Sequence, residues 1–385
     1  MMRILIWSNA PFCNTGYGGQ VKQLIPHLTN AGHDVGVVAN YGLSGNVINH
    51  NGIPIFPLRE SRQNRDVISA YAKRFNADVV ISLYDIWALP PNTKQLLSVP
   101  WIAMIPVDGA PVSPMMISRM RDVDYIVSYS RFGETEIRSA GFENTFIPHG
   151  INTDIFKPGD KKAIREKLGI PDDIFFISTV AANKGIPPRK SWPELIQAYQ
   201  MFREKHPDSL LYIHSTKTPY GSNGEGMYFD QLIETLGIPS NAFAWPDADA
   251  YKLGVPDRGM AEIYQASDAM LLPSRGEGFG LPLLEAQACG CPIICGDNSS
   301  QSELCVNGIA VEPLQRQWLP QLQYFWQIPS IQKIADALEE IYDWTNGERK
   351  RNALMGIEFA KDYEMKTVFE RYWTPFLEHV EATLW

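Results

Sequence analysis

The stretch that most constrains this chain runs from Ser274 to Gly296 and reads SRGEGFGLPLLEAQACGCPIICG. An apolar run, Ala269-Met270-Leu271-Leu272, leads into it, and the glycine-bracketed acidic loop Gly276-Glu277-Gly278-Phe279-Gly280 follows. A helix is expected to start at Leu281-Pro282, which makes the layout strand, turn, helix. Proline at a first helical position loses no bond, because that N–H has no partner there in any case, and its ring pre-sets the helical φ. The glycines ahead of it permit tight backbone and close approach to a ligand. Free N–H groups and the positive end of the helix then point out of the strand's carboxyl edge, which suits a diphosphate.

Two carboxylates flank this anion seat. Glu277 lies in the loop, and Glu285, eight positions on, is expected in the first helical turn, so both can face one crevice. Acids touching a phosphate would repel it. They are therefore expected to accept hydrogen bonds from neutral hydroxyls on either side, and a ligand with sugar at both ends of a diphosphate, a nucleoside diphosphate sugar, meets that demand. A glycine-rich loop with a helix-dipole partner would be the plainer account. This stretch is longer and more particular: it resembles the signature of the retaining GT-B glycosyltransferases, family 4 (group 1). There, two glutamates eight positions apart bracket GFGLP and precede EA-x-A-x-G-x-P.

At 385 residues the chain is long enough for two domains of ordinary size, and 45% hydrophobic with 20% charged residues is a globular composition. A net charge of −9 argues against binding a nucleic-acid backbone. No apolar run approaches bilayer length and MMRILIW enters a strand pattern directly, so a cytoplasmic protein is expected, with peripheral membrane contact left open. Five cysteines fit the same compartment. Cys289, Cys291, Cys295 and Cys305 cluster without the C-x2-C spacing of zinc sites, and are read as small buried residues rather than metal ligands.

Along the chain, short unalternating apolar runs suggest parallel strands covered on both faces: Ile4 to Trp7, Val35 to Val38, Val79 to Leu83, Trp101 to Ile105, Tyr125 to Ser128 and Phe146-Ile147 in the first half. After the first strand, Gly16, Gly18 and Gly19 open a helix whose apolar face is Val21, Leu24, Ile25 and Leu28, with Pro26 expected to kink it. Asp108 follows the fourth of these strands in a Pro/Gly turn, where a turn-forming role and a role at a reacting centre are both open. Ile147 to Pro158 is proline-punctuated and reads as the exit from the first domain, with His149 as a hinge or cleft-wall residue.

The second half repeats the alternation, with strands at Phe175 to Val180, Leu210 to Ile213, Phe243 to Trp245, Met270 to Leu272, Ile293 to Cys295 and Ile309 to Val311. Behind the first of these lies Ala182-Asn183-Lys184-Gly185-Ile186-Pro187-Pro188-Arg189-Lys190, whose three cations would face the anion seat or form a solvated loop. Tyr220 to Met227 reads as a Gly/Ser/Asn-rich loop, and Asp247-Ala248-Asp249 as solvated loop rather than a metal site. Gln315 to Ser330 is rich in aromatics and is expected to pack against its domain, with an acceptor or partner surface as the alternative. From Ile331 the pattern is helical, with Ile331, Ile334, Leu338, Ile341 and Tyr342 on one face.

The resemblance implies a GT-B fold: two facing Rossmann-like doubly wound domains, 1–158 on the acceptor side and 159–365 for the nucleotide sugar, with a C-terminal helix, about 366–385, crossing back to the first. It implies Ile147 to Pro158 as the family's P-x-G-x-D-x-x-x-F-x-P segment and Asp297 to Glu303 as its small polar segment ending in an acid. It places Glu285 at the ribose hydroxyls, and Glu277 with Gly278, Phe279, Gly280 and Leu281 at the sugar and phosphates. Lys190 matches the family's lysine, with Lys184 or Arg189 as the preceding basic residue and Asn183 beside them. Gly18 and Gly19 match its Gly-Gly pair at the donor phosphates or acceptor. The family often carries a histidine followed by an acid near Asp108; this chain has none there, and Asp108 is the nearest polar group. The implied activity is retaining, metal-independent hexosyl transfer from a UDP- or GDP-sugar to an unidentified hydroxyl acceptor, with no cofactor and with Glu277, Asp108 and Lys190 at the reacting centre. A sugar-nucleotide epimerase and a non-catalytic sugar-nucleotide-binding protein are the alternatives.

Overall fold

The computed structural model describes residues 1–58, 67–219 and 225–384; the first five residues of the loop read from Tyr220 to Met227 lie outside these. The chain divides into two compact units. The first comprises Met1–Gly150, Pro320–Tyr324 and Tyr363–Trp385, and the second Ile151–Leu319 and Phe325–Asp362.

The first unit is built on an eight-stranded sheet: β1 (Arg3–Ser8), β2 (Asp34–Ala39), β3 (Ile48–His50), β4 (Ile53–Pro57), β5 (Val79–Leu83), β6 (Trp101–Ile105), β7 (Tyr125–Ser128) and β8 (Thr145–Phe146). The order is β3-β4-β2-β1-β5-β6-β7-β8, parallel except for the β3–β4 pair. Every residue of β5 and β6 is buried, as strands sandwiched between helix layers must be. The short β3–β4 pair has no long apolar run, which is why periodicity passes over it. The helix Gly16–Asn30 is capped by Thr15, whose hydroxyl accepts from Gly18 N, and it continues through Pro26. In the C-terminal segment of this unit Trp373, Phe376, Leu377 and Val380 are buried, and Phe376 meets the ring of Tyr125 edge-on.

The second unit holds a six-stranded parallel sheet of β9 (Phe175–Val180), β10 (Ser209–His214), β11 (Phe243–Ala244), β12 (Ala269–Leu272), β13 (Ile293–Gly296) and β14 (Ile309–Val311). Its order is β11-β10-β9-β12-β13-β14. The helix Ile331–Asp343 buries Ile334, Leu338 and Ile341, while Tyr342 is 39% exposed and stacks its ring near His206. The aromatic segment after β14 is extended. It forms β15 (Pro313–Leu319) and β16 (Tyr324–Pro329), a separate two-stranded sheet that buries Tyr324 and Trp326 and leaves Trp318 exposed. Asp247, read as solvated loop, caps a helix, accepting from the backbone N–H groups of Asp249 and Ala250.

Close backbone packing fixes β13. A Cβ added to Gly308 would overlap the Ile293 carbonyl oxygen and stand 2.7 Å from that residue's backbone N and C. Backbone cannot rotate away as a side chain can, so Gly308→Ala should cost about 3 kcal/mol or more; a urea midpoint equal to that of the parent would show the packing is looser than drawn.

Candidate functional site

In the second unit the chain steps outward from β9 to β10 and β11, then returns to β12 on the other side of β9. The carboxyl ends of β9 and β12 therefore flank a topological switch point, where open α/β sheets bind ligands. The loop after β9 carries Asn183, Lys184, Arg189 and Lys190; the loop after β12 carries Gly276 to Gly280. Arg275 N donates to the Arg189 carbonyl at 2.8 Å, joining the two loops through their backbones. Arg189 Nη1 donates to the Gly276 carbonyl at 2.6 Å and to Glu277 Oε2 at 2.9 Å. Lys190 Nζ donates to the other oxygen, Glu277 Oε1.

Burial raises the Glu277 carboxyl, but Arg189 and Lys190 outweigh it and bring its pKa down to about 2. Burial dominates for Lys190, which falls to about 8 even though Glu277 pulls the other way. The two shifts differ because the carboxylate has two cations to itself, whereas the ammonium shares one carboxylate with a guanidinium. Both groups remain charged at neutral pH, so the cluster carries one net positive charge. The sequence reading set the cations opposite a diphosphate and the acid among hydroxyls; the fold brings all three together.

A polar clamp, which the sequence marked only as a small polar segment, holds the Gly276–Gly280 loop. Ser299 Oγ accepts from Glu277 N at 2.9 Å, and Ser300 Oγ donates to the carbonyls of Glu277 and Phe279 at 2.9 and 2.6 Å. Gln301 Nε2 and Asn298 Nδ2 donate to the Ser274 carbonyl at 2.9 and 3.1 Å. Beneath the loop Phe279 is buried, and Gly280 at φ 109° begins the helix Leu281–Ala288. Arg275, 6% exposed, donates to Glu194 and to Gln317 of β15, both at 2.7 Å. Three-residue spacing cannot announce such long-range partners.

Glu285 is the fifth residue of the helix Leu281–Ala288 and so sits in its second turn, not the first, although the helix starts at Leu281 as expected. Tyr264 Oη donates to Glu285 Oε2 at 3.0 Å. Burial raises this carboxyl to about 7, with the Tyr264 bond opposing and Asp257 adding. Asn183 is fully buried: its amide donates to the carbonyls of Thr216 and Met227 and accepts from Met227 N, fastening the chain that returns from β10. Lys184 is exposed on the same loop. Among the described residues no group of three or more His, Cys, Asp or Glu could hold a metal ion, and Cys289, Cys291 and Cys295 are buried free thiols.

In the first unit Gly18 and Gly19 are helical, and their N–H groups donate to Thr15 Oγ1 and to the Thr15 carbonyl. A Cβ on Gly18 would stand 2.5 Å from the Cys13 carbonyl oxygen and 2.8 Å from that of Ala10, whereas one on Gly19 would meet nothing within 4 Å. Gly18 is thus required by the chain's own turn, and Gly19 leaves bare backbone surface. Asp108 accepts from Tyr324 Oη at 2.8 Å. His149 is buried, stacked on Tyr129 at 4.1 Å, and lowered to about 3 by burial, so it is neutral.

Two outcomes test this description. Gly18→Ala should lower stability, while Gly19→Ala should hold or raise it by up to about 1 kcal/mol through helix propensity; equal melting temperatures for the two would contradict the steric distinction. The Glu285 carboxyl holds its proton more tightly folded than unfolded. Its contribution to stability is therefore full below about pH 4.5 and is lost as pH rises through about 7. Between pH 5 and 8 the parent should lose more thermal stability than Glu285→Gln does, as calorimetry on both proteins would show.

Residues 160–350 match the family model described as glycosyl transferases group 1. A D-inositol 3-phosphate glycosyltransferase of Stackebrandtia nassauensis is 34% identical over 155 residues, 39% of this chain and 32% of that protein. A protein of the same name from Segniliparus rotundus is 31% identical over 148 residues, 38% of this chain and 30% of that one. The chain thus spans about a third of the length of these relatives. Sucrose-phosphate synthase from Thermosynechococcus elongatus superposes with TM-score 0.79 at 18% identity, covering 100% of both chains. Anabaena Alr3699/HepE in complex with UDP and glucose superposes with TM-score 0.70 at 16% identity, covering 99% of this chain and 100% of the other. No helix among the described residues is long and apolar enough to cross a membrane. The chain has the GT-B fold of glycosyltransferases, and its residues 160–350 carry the pattern of the group 1 family.

Proposed function

We propose that this protein is a retaining family 4 hexosyltransferase that moves a sugar from a UDP- or GDP-sugar to a hydroxyl acceptor without a metal ion, in the cytoplasm. The observation that carries the reading is the cluster of Arg189, Lys190 and Glu277 at the switch point of the second unit, within the segment that matches the group 1 family. A diphosphate leaving group gathers charge as the bond to the sugar breaks. Fixed cations in a partly desolvated site stabilise that charge with little reorganisation. Lys190 and Arg189 are already held by Glu277 and by the Gly276 carbonyl, so they need not be ordered during the reaction.

In this reading Glu277 accepts from sugar hydroxyls with the lone pairs its cations leave over, and Glu285 accepts from the ribose. The backbone of Gly278 to Gly280 and Leu281 faces the phosphates, held in shape by Ser299, Ser300 and Gln301. The bond between C1 and the phosphate oxygen breaks with its electron pair going to the diphosphate. The acceptor oxygen bonds C1 on the same face, and its proton passes to the departing phosphate oxygen.

Thermal shift against a panel of UDP- and GDP-sugars is the first experiment, since a ligand at 100 times its Kd stabilises by about 2.7 kcal/mol. With the donor so identified, Lys190→Met and Glu277→Gln should each lower turnover by about 10²- to 10³-fold. Transfer should survive EDTA, and the product should keep the donor's anomeric configuration by NMR. A change in the sugar without an acceptor would identify an epimerase instead, and binding without any turnover would identify a sugar-nucleotide-binding protein.

A further inference from the structure

Between β14 and the helix Ile331–Asp343 an alternation of strands and helices needs only a short connection. Residues 312–330 instead leave the sheet and return as the hairpin of β15 and β16. This hairpin is tied at two points to one residue of the second unit's ligand edge, Arg275. Gln327 N of β16 donates to the Arg275 carbonyl at 2.9 Å, and Arg275 Nη1 donates to Gln317 Oε1 of β15 at 2.7 Å. On β15 the neighbours of Gln317, Arg316 and Trp318, are exposed and belong to the other face of the strand.

Arg275 in turn holds the segment that carries the cations, again at two points. Its N–H donates to the Arg189 carbonyl at 2.8 Å, and its Nη2 donates to Glu194 Oε1 at 2.7 Å, in the first turn of the helix Trp192–Lys205. Lys190 lies between these two anchors, so a shift of Arg275 carries the Lys190 backbone with it. The Arg275 guanidinium is itself committed elsewhere: its side chain and that of Glu194 are only 7% and 13% exposed, and the carboxylate offsets its charge. A guanidinium suits this task, because its rigid fork reaches a carboxylate and an amide oxygen at once.

Resting on the transferase reading above, we infer that Arg275 is a positioning residue for the transfer, and that β15, through Gln317, sets where Arg189 and Lys190 stand against the leaving diphosphate. The link runs from Gln317 to the Arg275 guanidinium, then to Glu194 and, through the Arg275 backbone, to Arg189. Glu277 closes it, since it binds both cations. Charge on the diphosphate grows as its bond to the sugar breaks, so a displaced cation is felt mainly in the transition state.

The experiment measures nucleotide release by the full chain from the UDP- or GDP-sugar that most raises its melting temperature. Release to water breaks the same bond to the diphosphate, so no acceptor need be known. In Gln317→Leu, which keeps bulk and removes the acceptor oxygen, kcat should fall about tenfold while KM for the donor stays within about twofold of the parent, a split that lost stability alone does not produce. Arg275→Met should fall further, and the double variant should be no slower than Arg275→Met, because Gln317 acts through Arg275. Arg316→Ala, on the exposed face of the same strand, should keep the parent kcat. An unchanged kcat in Gln317→Leu, losses that multiply in the double variant, or an equal loss in Arg316→Ala would each overturn the inference. If Arg275→Met does not fold, the comparison of Gln317→Leu with Arg316→Ala decides by itself. Failure of the transferase reading looks different, because then the parent turns over no nucleotide sugar at all.

Discussion

Burying a carboxylate is costly unless charge and hydrogen bonds replace the water it loses, and Glu277 is buried with Arg189 on one oxygen and Lys190 on the other. That pairing determines much of the local structure. Arg189 can reach Glu277 only if the loops after β9 and β12 lie side by side, and the backbone bond from Arg275 to Arg189 confirms that they do. The Ser299, Ser300 and Gln301 side chains then remove the remaining freedom of the Gly276–Gly280 backbone. The result is a net positive edge on the second unit, held in place by hydrogen bonds from within the chain.

The first unit carries other side chains beyond its strands. Asp85 follows β5 and Asp108 follows β6, and His149, beyond the edge strand β8, is kept neutral by burial against Tyr129. Two sheets of like topology, each with a switch point, thus carry different side chains there. Fold likeness alone would not have separated them, since the solved relatives share the fold at 16–18% identity.

Much of the fold was legible in the residues. The strands at Val79–Leu83, Trp101–Ile105, Tyr125–Ser128 and Phe175–Val180 stand where continuous apolar runs predict them, because a strand covered on both faces needs no polar residue. The hairpin of β15 and β16 was hidden because it is covered on one side only, so its sequence mixes Gln and Arg with Trp and Phe. Glu285 was misplaced by a turn although the helix starts where Leu281-Pro282 predicts, because a turn closes after about 3.6 residues and Glu285 is the fifth.

By itself, then, the sequence determined the alternation of strands and helices, the glycine loop ahead of Leu281, and that Glu277, Glu285, Arg189 and Lys190 fall in the second unit. These are local matters, decided by side-chain periodicity and by backbone freedom within a few residues. Only the tertiary structure decided that Arg189 and Lys190 close on Glu277, that Asn183 fastens backbone, and that Tyr324 meets Asp108. Such pairings join residues tens to hundreds of positions apart, and their geometry follows from strand order and sheet register, which no short-range pattern encodes.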